Sequence, residues 1–172
     1  CTSGGTLLRL TGISPDSLYF NTILLCRFGG LEVVATILDN VLLCVSPQVM
    51  KAGSVPFSIS YRYDNGYLSE TIRTGILFYY YDPIDLYALI PKEGPGFGRS
   101  LLTLKGKGFR DVPGLSARFT FDFDDDIVIV PCIFVSDEEL IVVSPVYNRS
   151  SAGGFSSISV SNNAVDFSET SL

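Results

Sequence analysis

Gly4-Gly5-Thr6-Leu7-Leu8-Arg9-Leu10-Thr11-Gly12 returns later in the same chain as Gly98-Arg99-Ser100-Leu101-Leu102-Thr103-Leu104-Lys105-Gly106. Further pieces return in the same order. Val45-Ser46-Pro47 is matched by Val143-Ser144-Pro145, and Ser58-Ile59-Ser60 by Ser157-Ile158-Ser159. Leu68-Ser69-Glu70 is matched by Phe167-Ser168-Glu169. The copies stand about one hundred residues apart. That is longer than the roughly 20–50 residues of a solenoid repeat and is the size of one small β-sandwich. The 172 residues therefore read as two similar all-β modules in series, residues 1–82 and 83–172.

Working outward from the repeat, short β-rich runs alternate with Gly, Pro, Asn and Asp turns, and no helical period emerges. In the first module the pattern predicts strands near Leu7–Leu10, Ile23–Phe28, Val33–Ile37, Val41–Val45, Val55–Tyr63, Leu68–Thr71 and Ile76–Tyr81. Asp64-Asn65-Gly66 reads as a hairpin turn, because Asn-Gly accepts positive φ cheaply. In the second module strands are expected near Leu86–Ile90, Leu101–Lys105, Ala117–Phe123, Ile127–Val130, Ile133–Val135, Glu139–Val143, Ser156–Val160 and Val165–Phe167. The boundary falls at Asp82-Pro83, and so short a joint favours a stiff rod over two loosely tethered beads.

Hydrophobic residues make up 47% of the chain and charged residues 17%. The usual charged share is about 25%, so the surface is poor in charge, as expected where neighbours or glycans cover it. The net charge of −6 argues against a nucleic-acid partner, which requires a basic face. No apolar run approaches the roughly 20 residues of a membrane helix, so no direct membrane insertion is expected of this segment. Four cysteines are present. Cys26 and Cys44 fall in two predicted strands of one module, a spacing that suits an intra-module disulfide. Two reduced core thiols are the alternative. The aligned positions in the second module are Phe119 and Val142, both apolar. Cys1 and Cys132 are left over, to pair with each other or with cysteines of adjacent modules or chains. No CxxC motif and no histidine exist to build a zinc site.

The run Ile90-Pro91-Lys92-Glu93-Gly94-Pro95, followed by the Gly98–Gly106 stretch and Lys107-Gly108-Phe109, resembles the opening of an IPT/TIG domain. Cys26-Arg27-Phe28-Gly29 and Leu43-Cys44-Val45-Ser46-Pro47 are similar to the middle of such domains, with their paired cysteines. Asn65-Gly66 through Leu68-Ser69 is similar to their end. The resemblance covers the chain twice, although the second module lacks the cysteine pair and has Phe121-Asp122-Phe123 in place of a Phe-Gly-Gly turn. It implies two tandem immunoglobulin-like β-sandwiches. It also implies settings such as plexin and Met-type receptor ectodomains, large surface proteins, Rel-type transcription factors and some starch-acting enzymes.

When the two modules are laid over each other, the first is expected to lack its opening strand and the second its closing one. Such open edges fit either a window on a longer array or strand exchange between neighbours.

Catalysis is poorly supported, since the commonest general base is missing. Asp122, Asp124, Asp125 and Asp126 crowd one predicted turn. A solvated acidic turn is the plain reading. Several carboxylates on one loop also suit calcium, the one cofactor the residues suggest. Lys105-Gly106-Lys107-Gly108 lacks the phosphate-loop pattern and reads as a turn. Asn148-Arg149-Ser150 is a glycosylation sequon in a polar loop. Tyr79, Tyr80 and Tyr81, with Pro83, are expected at the joint, packing against the next module or offering a stacking face.

The expectation is a non-enzymatic structural or adhesive segment of an extracellular rod, stalk or fibre, contacting neighbouring copies, adjacent modules, other surface proteins or glycans. A ligand-binding or spacer segment of a receptor ectodomain is one alternative. An accessory module of a carbohydrate-active enzyme is the other.

Overall fold

The computed structural model describes residues 1–12, 22–63, 68–122, 126–146, 156–169 and 171–172. Among them every regular element is a β-strand. The chain divides into two compact units, Cys1–Asp82 and Pro83–Leu172.

The first unit holds β1 (Leu7–Leu10), β2 (Thr22–Phe28), β3 (Leu31–Val34), β4 (Thr36–Leu38), β5 (Val41–Val45), β6 (Gly53–Tyr63) and β7 (Leu68–Tyr80). They form two sheets, ordered β1-β5-β4 and β3-β2-β6-β7, with antiparallel pairing throughout. Turn chemistry sets the hairpins. Gly29, at a φ of 62°, opens the tight turn between Phe28 and its partner Leu31. Asp39 and Asn40 both take positive φ between Leu38 and Val41, the geometry of a type I′ turn. Between the two sheets lies a core of Leu24, Cys26, Phe28, Leu42, Cys44, Phe57, Ile59 and Tyr80. Phe28 meets Phe57 and Phe78 edge-on, each at 5.1 Å between centroids.

The second unit holds β8 (Asp85–Ile90), β9 (Leu101–Lys107), β10 (Ser116–Phe121), β11 (Ile127–Ser136), β12 (Glu139–Val143) and β13 (Ser156–Ser161). Their order is β13-β10-β11-β12-β9-β8. β11 is shared between two layers. Its first half pairs with β10 up to Pro131, and its second half pairs with β12 from Cys132. Proline cannot donate to a ladder, and Pro131 stands at the change of partner. The core lies between the layers and draws on Leu102, Leu104, Ala117, Phe119, Leu140, Val142, Ile158 and Val160.

The two units make the same change of layer by different means. In the first unit Ala35 separates β3 from β4 and donates its N–H to the Leu24 carbonyl at 2.9 Å. In the second, Cys132 donates to the Leu115 carbonyl at 3.2 Å within one unbroken strand. The sequence predicts two strands on either side of Pro131, and the structure has one. It likewise joins the expected Leu68–Thr71 and Ile76–Tyr81 into β7. The strand expected at Val165–Phe167 does not form. There Asn163 Oδ1 instead accepts the backbone N–H groups of Val165 (3.0 Å) and Asp166 (2.8 Å). The Asn-Gly turn at 64–66 lies outside the described residues.

Candidate functional surfaces

The residues that repeat most strictly are those that tie β1 to β5 and β9 to β12. Ser46 donates its N–H to the Thr6 carbonyl (2.9 Å), and its hydroxyl accepts the Thr6 N–H (3.1 Å). Ser144 does the same with Ser100, at 2.9 and 3.0 Å. Gly4 and Gly98 allow the chain to pass this clamp. A Cβ on Gly4 would come within 2.7 Å of the Pro47 carbonyl carbon, and one on Gly98 would collide with Pro145. This mutual fit explains why the glycine and the Ser-Pro recur together.

Cys26 and Cys44 form a disulfide across the two sheets of the first unit, with Cα atoms 6.3 Å apart and both residues buried. In the second unit the register places Ala117 and Val142 at these positions. Ala117 lies two residues beyond Leu115, as Cys26 lies two beyond Leu24, and the Leu24 and Leu115 carbonyls take equivalent bonds. Val142 faces Leu102 as Cys44 faces Leu8. Sequence alignment alone suggests Phe119 in place of Ala117. All three second-unit residues are buried. Cys1 and Cys132 each keep a thiol and lie in separate units. Cys132 packs against the second core, and burial pushes its thiol up to about 12.

The remaining predicted site residues scatter. Asp122 and Asp126 are exposed at the ends of the β10–β11 turn, where the Asp126 carbonyl accepts the Phe121 N–H at 3.0 Å. Asp124, Asp125 and Asn148 lie outside the described residues. Among the described residues no group of three His, Cys, Asp or Glu side chains could hold a metal ion. Tyr80 directs its ring into its own unit, 4.8 Å from Phe78, and burial raises its phenol above the ordinary range. Tyr79 is exposed, Tyr81 half-buried and Pro83 exposed. Lys105-Gly106-Lys107, expected as a turn, is part of β9. Gly106 is buried because β8 crosses it closely; a Cβ there would stand 2.5 Å from the Asp85 carbonyl oxygen.

Two surfaces stand out, and the sequence pointed only to the second. The first is the outward face of the β1-β5-β4 layer and of its second-unit counterpart. Leu7, Leu38 and Val45 are exposed there in one unit, and Leu101, Val135 and Val143 in the other. The opposite layer mixes charged groups with exposed apolar side chains such as Ile23, Ile127 and Ile129. Arg27 and Arg62 share Glu32 in the first unit, at 3.1 and 2.8 Å, and Arg118 reaches the Ser159 hydroxyl at 3.1 Å in the second. The signal for the apolar face was present as apolar residues at both strand parities, as in Leu7-Leu8 and Leu101-Leu102. The second surface is the edge of β1, which has no strand beyond it among the described residues.

No protein-family model and no curated protein matches the chain by sequence. By structure it is similar to the full extracellular region of plexin A4, domains 1 to 10, at a TM-score of 0.55 and 15% identity over 88% of this chain. The chain spans 12% of that plexin chain. A second plexin A4 extracellular structure, with domains 1 to 8, covers 99% of this chain and 16% of its own, at 15% identity and a TM-score of 0.42. What residues 1–172 share with the plexin A4 region is an all-β, immunoglobulin-like sandwich fold.

Proposed function

We propose that this chain is a non-enzymatic segment of the extracellular region of a cell-surface protein, built from two IPT/TIG-like modules in series and serving as spacer and binding surface. The observation that carries the reading is the immunoglobulin-like fold shared with a receptor ectodomain, together with the buried Cys26–Cys44 disulfide. Disulfides of this kind persist in oxidising compartments and are rare in the cytosol. The strongest surface features are apolar sheet faces and an open strand edge, which suit contacts with other polypeptides rather than turnover of a small substrate.

The test is topological. Antibodies raised against residues 1–172 are expected to label intact, unpermeabilised cells that make the full protein. Mass spectrometry of the native protein is expected to recover the Cys26–Cys44 crosslink. Labelling only after permeabilisation, with both thiols reduced, would overturn the reading.

A second reading is a fibre of repeated modules, favoured by the apolar outward faces that recur at equivalent positions in the two units. Electron microscopy of native material separates the two. Filaments with an axial repeat of one or two modules favour the fibre, and isolated rods or particles with a distinct head favour the receptor.

A further inference from the structure

The outer face of the β3-β2-β6-β7 layer carries a cluster of arginines that the proposed function leaves unused. Cys26 and Ile59 face the core, so by strand alternation their neighbours Arg27, Ser58 and Ser60 face outward. Register sets Glu32, Arg27, Ser58 and Arg73 side by side across the four strands. Arg62 stands on the same face, two residues beyond Ser60. Arg27 Nε lies 3.1 Å from Glu32 Oε1, and Arg62 Nη2 donates to Glu32 Oε2 at 2.8 Å. Arg27 Nη1 also donates to Thr71 Oγ1 at 3.4 Å. Arg73 is exposed and pairs with no carboxylate among the described residues.

Three observations say what this face is shaped for. The first is charge. Arg27 and Arg62 share the Glu32 carboxylate and Arg73 adds a third cation, so this cluster is positive on a chain whose net charge is −6. The second is preorganisation. To reach Glu32, the Arg62 side chain spans β2 above Leu25, which is only 4% exposed although it faces outward. Arg27 likewise spans β6 beside Ser60 to reach Thr71, and the Ser60 hydroxyl is buried with no hydrogen-bond partner. Forks fixed in this way lose little freedom on binding a ligand, and most of their N–H donors stay available. The third is the second unit. Register puts Arg118 at the place of Arg27 and Ile129 at that of Glu32, with Asn163, two residues past Ser161, at that of Arg62. The same sandwich thus forms without the cluster, so the fold does not require it.

We infer that the face bearing Arg27, Arg62 and Arg73 binds a sulfated polysaccharide, whose sulfate groups seat on the guanidinium forks. A planar fork can donate two parallel N–H bonds to one oxyanion, among the strongest hydrogen bonds a side chain makes. The Ser58 and Thr71 hydroxyls lie among the forks and suit sugar hydroxyls. Arg27 and Arg73 stand two strands apart, about 10 Å, so one extended chain crosses both. The layout of the face disfavours a protein partner. Protein interfaces place apolar anchors at the centre and polar groups at the rim. Here charge holds the centre, and exposed Ile23 and Val34 stand at the margin. The choice of a glycan among polyanions rests on the extracellular reading above.

The experiment titrates the folded 172-residue chain with a size-defined heparin oligosaccharide. Calorimetry at about 0.15 M salt reads affinity, and NMR follows the arginine Nε–Hε groups. The expected result is saturable binding that shifts the Arg27, Arg62 and Arg73 signals and leaves that of Arg118 in place. Arg73→Glu breaks no ion pair among the described residues and should weaken binding by about tenfold or more. Lys107→Glu makes the same change of net charge at the exposed end of β9 and should leave affinity unchanged. Thermal unfolding of both variants is the control for fold. No saturable binding would overturn the proposal. So would equal losses in the two variants, because net charge alone would then be responsible. Poly-glutamate binding as tightly as heparin would overturn it in favour of an acidic protein partner. The cell-labelling test above fails separately from this one, since binding is read on the purified chain.

Discussion

Leu10 and Leu104 occupy the same place in a nine-residue repeat and in the same ladder position, yet Leu104 is fully buried and Leu10 is not. The difference is not in β1 and β9 themselves. It lies in their surroundings: Leu104 belongs to the buried core of the second unit, where Leu89 of β8 pairs with it, and Leu10 packs at the margin of the first core. The comparison extends to the staple. The first unit ties its layers with Cys26–Cys44, and the second fills the same place with Ala117 and Val142. Small domains with modest cores commonly rely on such staples.

The largest expected effect tests the burial contrast directly. Leu104→Ala should destabilise the second unit by about 2–5 kcal/mol, through lost transfer energy plus a cavity. Leu10→Ala should cost the first unit less, about 1–2 kcal/mol, since its side chain is only partly buried. Calorimetry of the two variants checks this, and equal losses would break the comparison. Next comes the staple. Replacing Cys26 and Cys44 with alanine should lower the first unit's stability by about 2–4 kcal/mol and leave the second unit's transition in place. The converse variant, Ala117→Cys with Val142→Cys, is expected to form a crosslink under oxidising conditions. Non-reducing mass spectrometry would show a disulfide-linked pair of peptides carrying these two substituted positions only if the register equivalence is right.

The two remaining thiols sharpen the contrast further. Cys132 is held neutral in the folded state, with its ionisation pushed up to about 12 by burial, against an ordinary 9.0. A group whose ionisation is raised on folding contributes stability below its unfolded value and loses that contribution as pH climbs to its folded one. The second unit should therefore weaken between about pH 9 and 12 beyond any loss in a Cys132→Ser variant. At about pH 8, below the ordinary thiol value, an alkylating agent should modify Cys1 well before Cys132, because the thiolate is the reactive form. The smallest effect concerns the clamp. Gly5 and Arg99 both take positive φ at the same repeat position, 84° and 63°. Arg99→Gly should gain about 0.5–1 kcal/mol by relieving the left-handed strain, read as a small rise in the second unit's melting temperature.

Much of the architecture was legible in the order of residues. The Gly4 and Gly98 turns, the Ser46 and Ser144 clamps and the alternating apolar strands repeat because each is a local requirement. A glycine fits a close backbone approach, a serine hydroxyl accepts a nearby N–H, and alternation follows from the strand's period of two. The Cys26–Cys44 pair was legible as two cysteines in expected strands of one module. Other features were misread because tertiary context decided them. Pro131 suggested a break, but at a change of partner a strand can pass through a residue that lacks an N–H. Lys105-Gly106-Lys107 suggested a turn, but the glycine serves a crossing strand. Tyr80 suggested a joint surface, but its ring belongs to the Phe28 and Phe78 cluster.

The sequence by itself determined two similar all-β modules, their boundary near Asp82-Pro83 and most of their strands, since these depend on local period, turn chemistry and internal likeness. Only the tertiary structure decided which apolar side chains stay exposed on the sheets, that Ala117 rather than Phe119 stands at the place of Cys26, and that β11 runs unbroken from one layer to the other. Those outcomes depend on what lies across a layer or beyond an edge, and identical strands bury different surface when their neighbours differ.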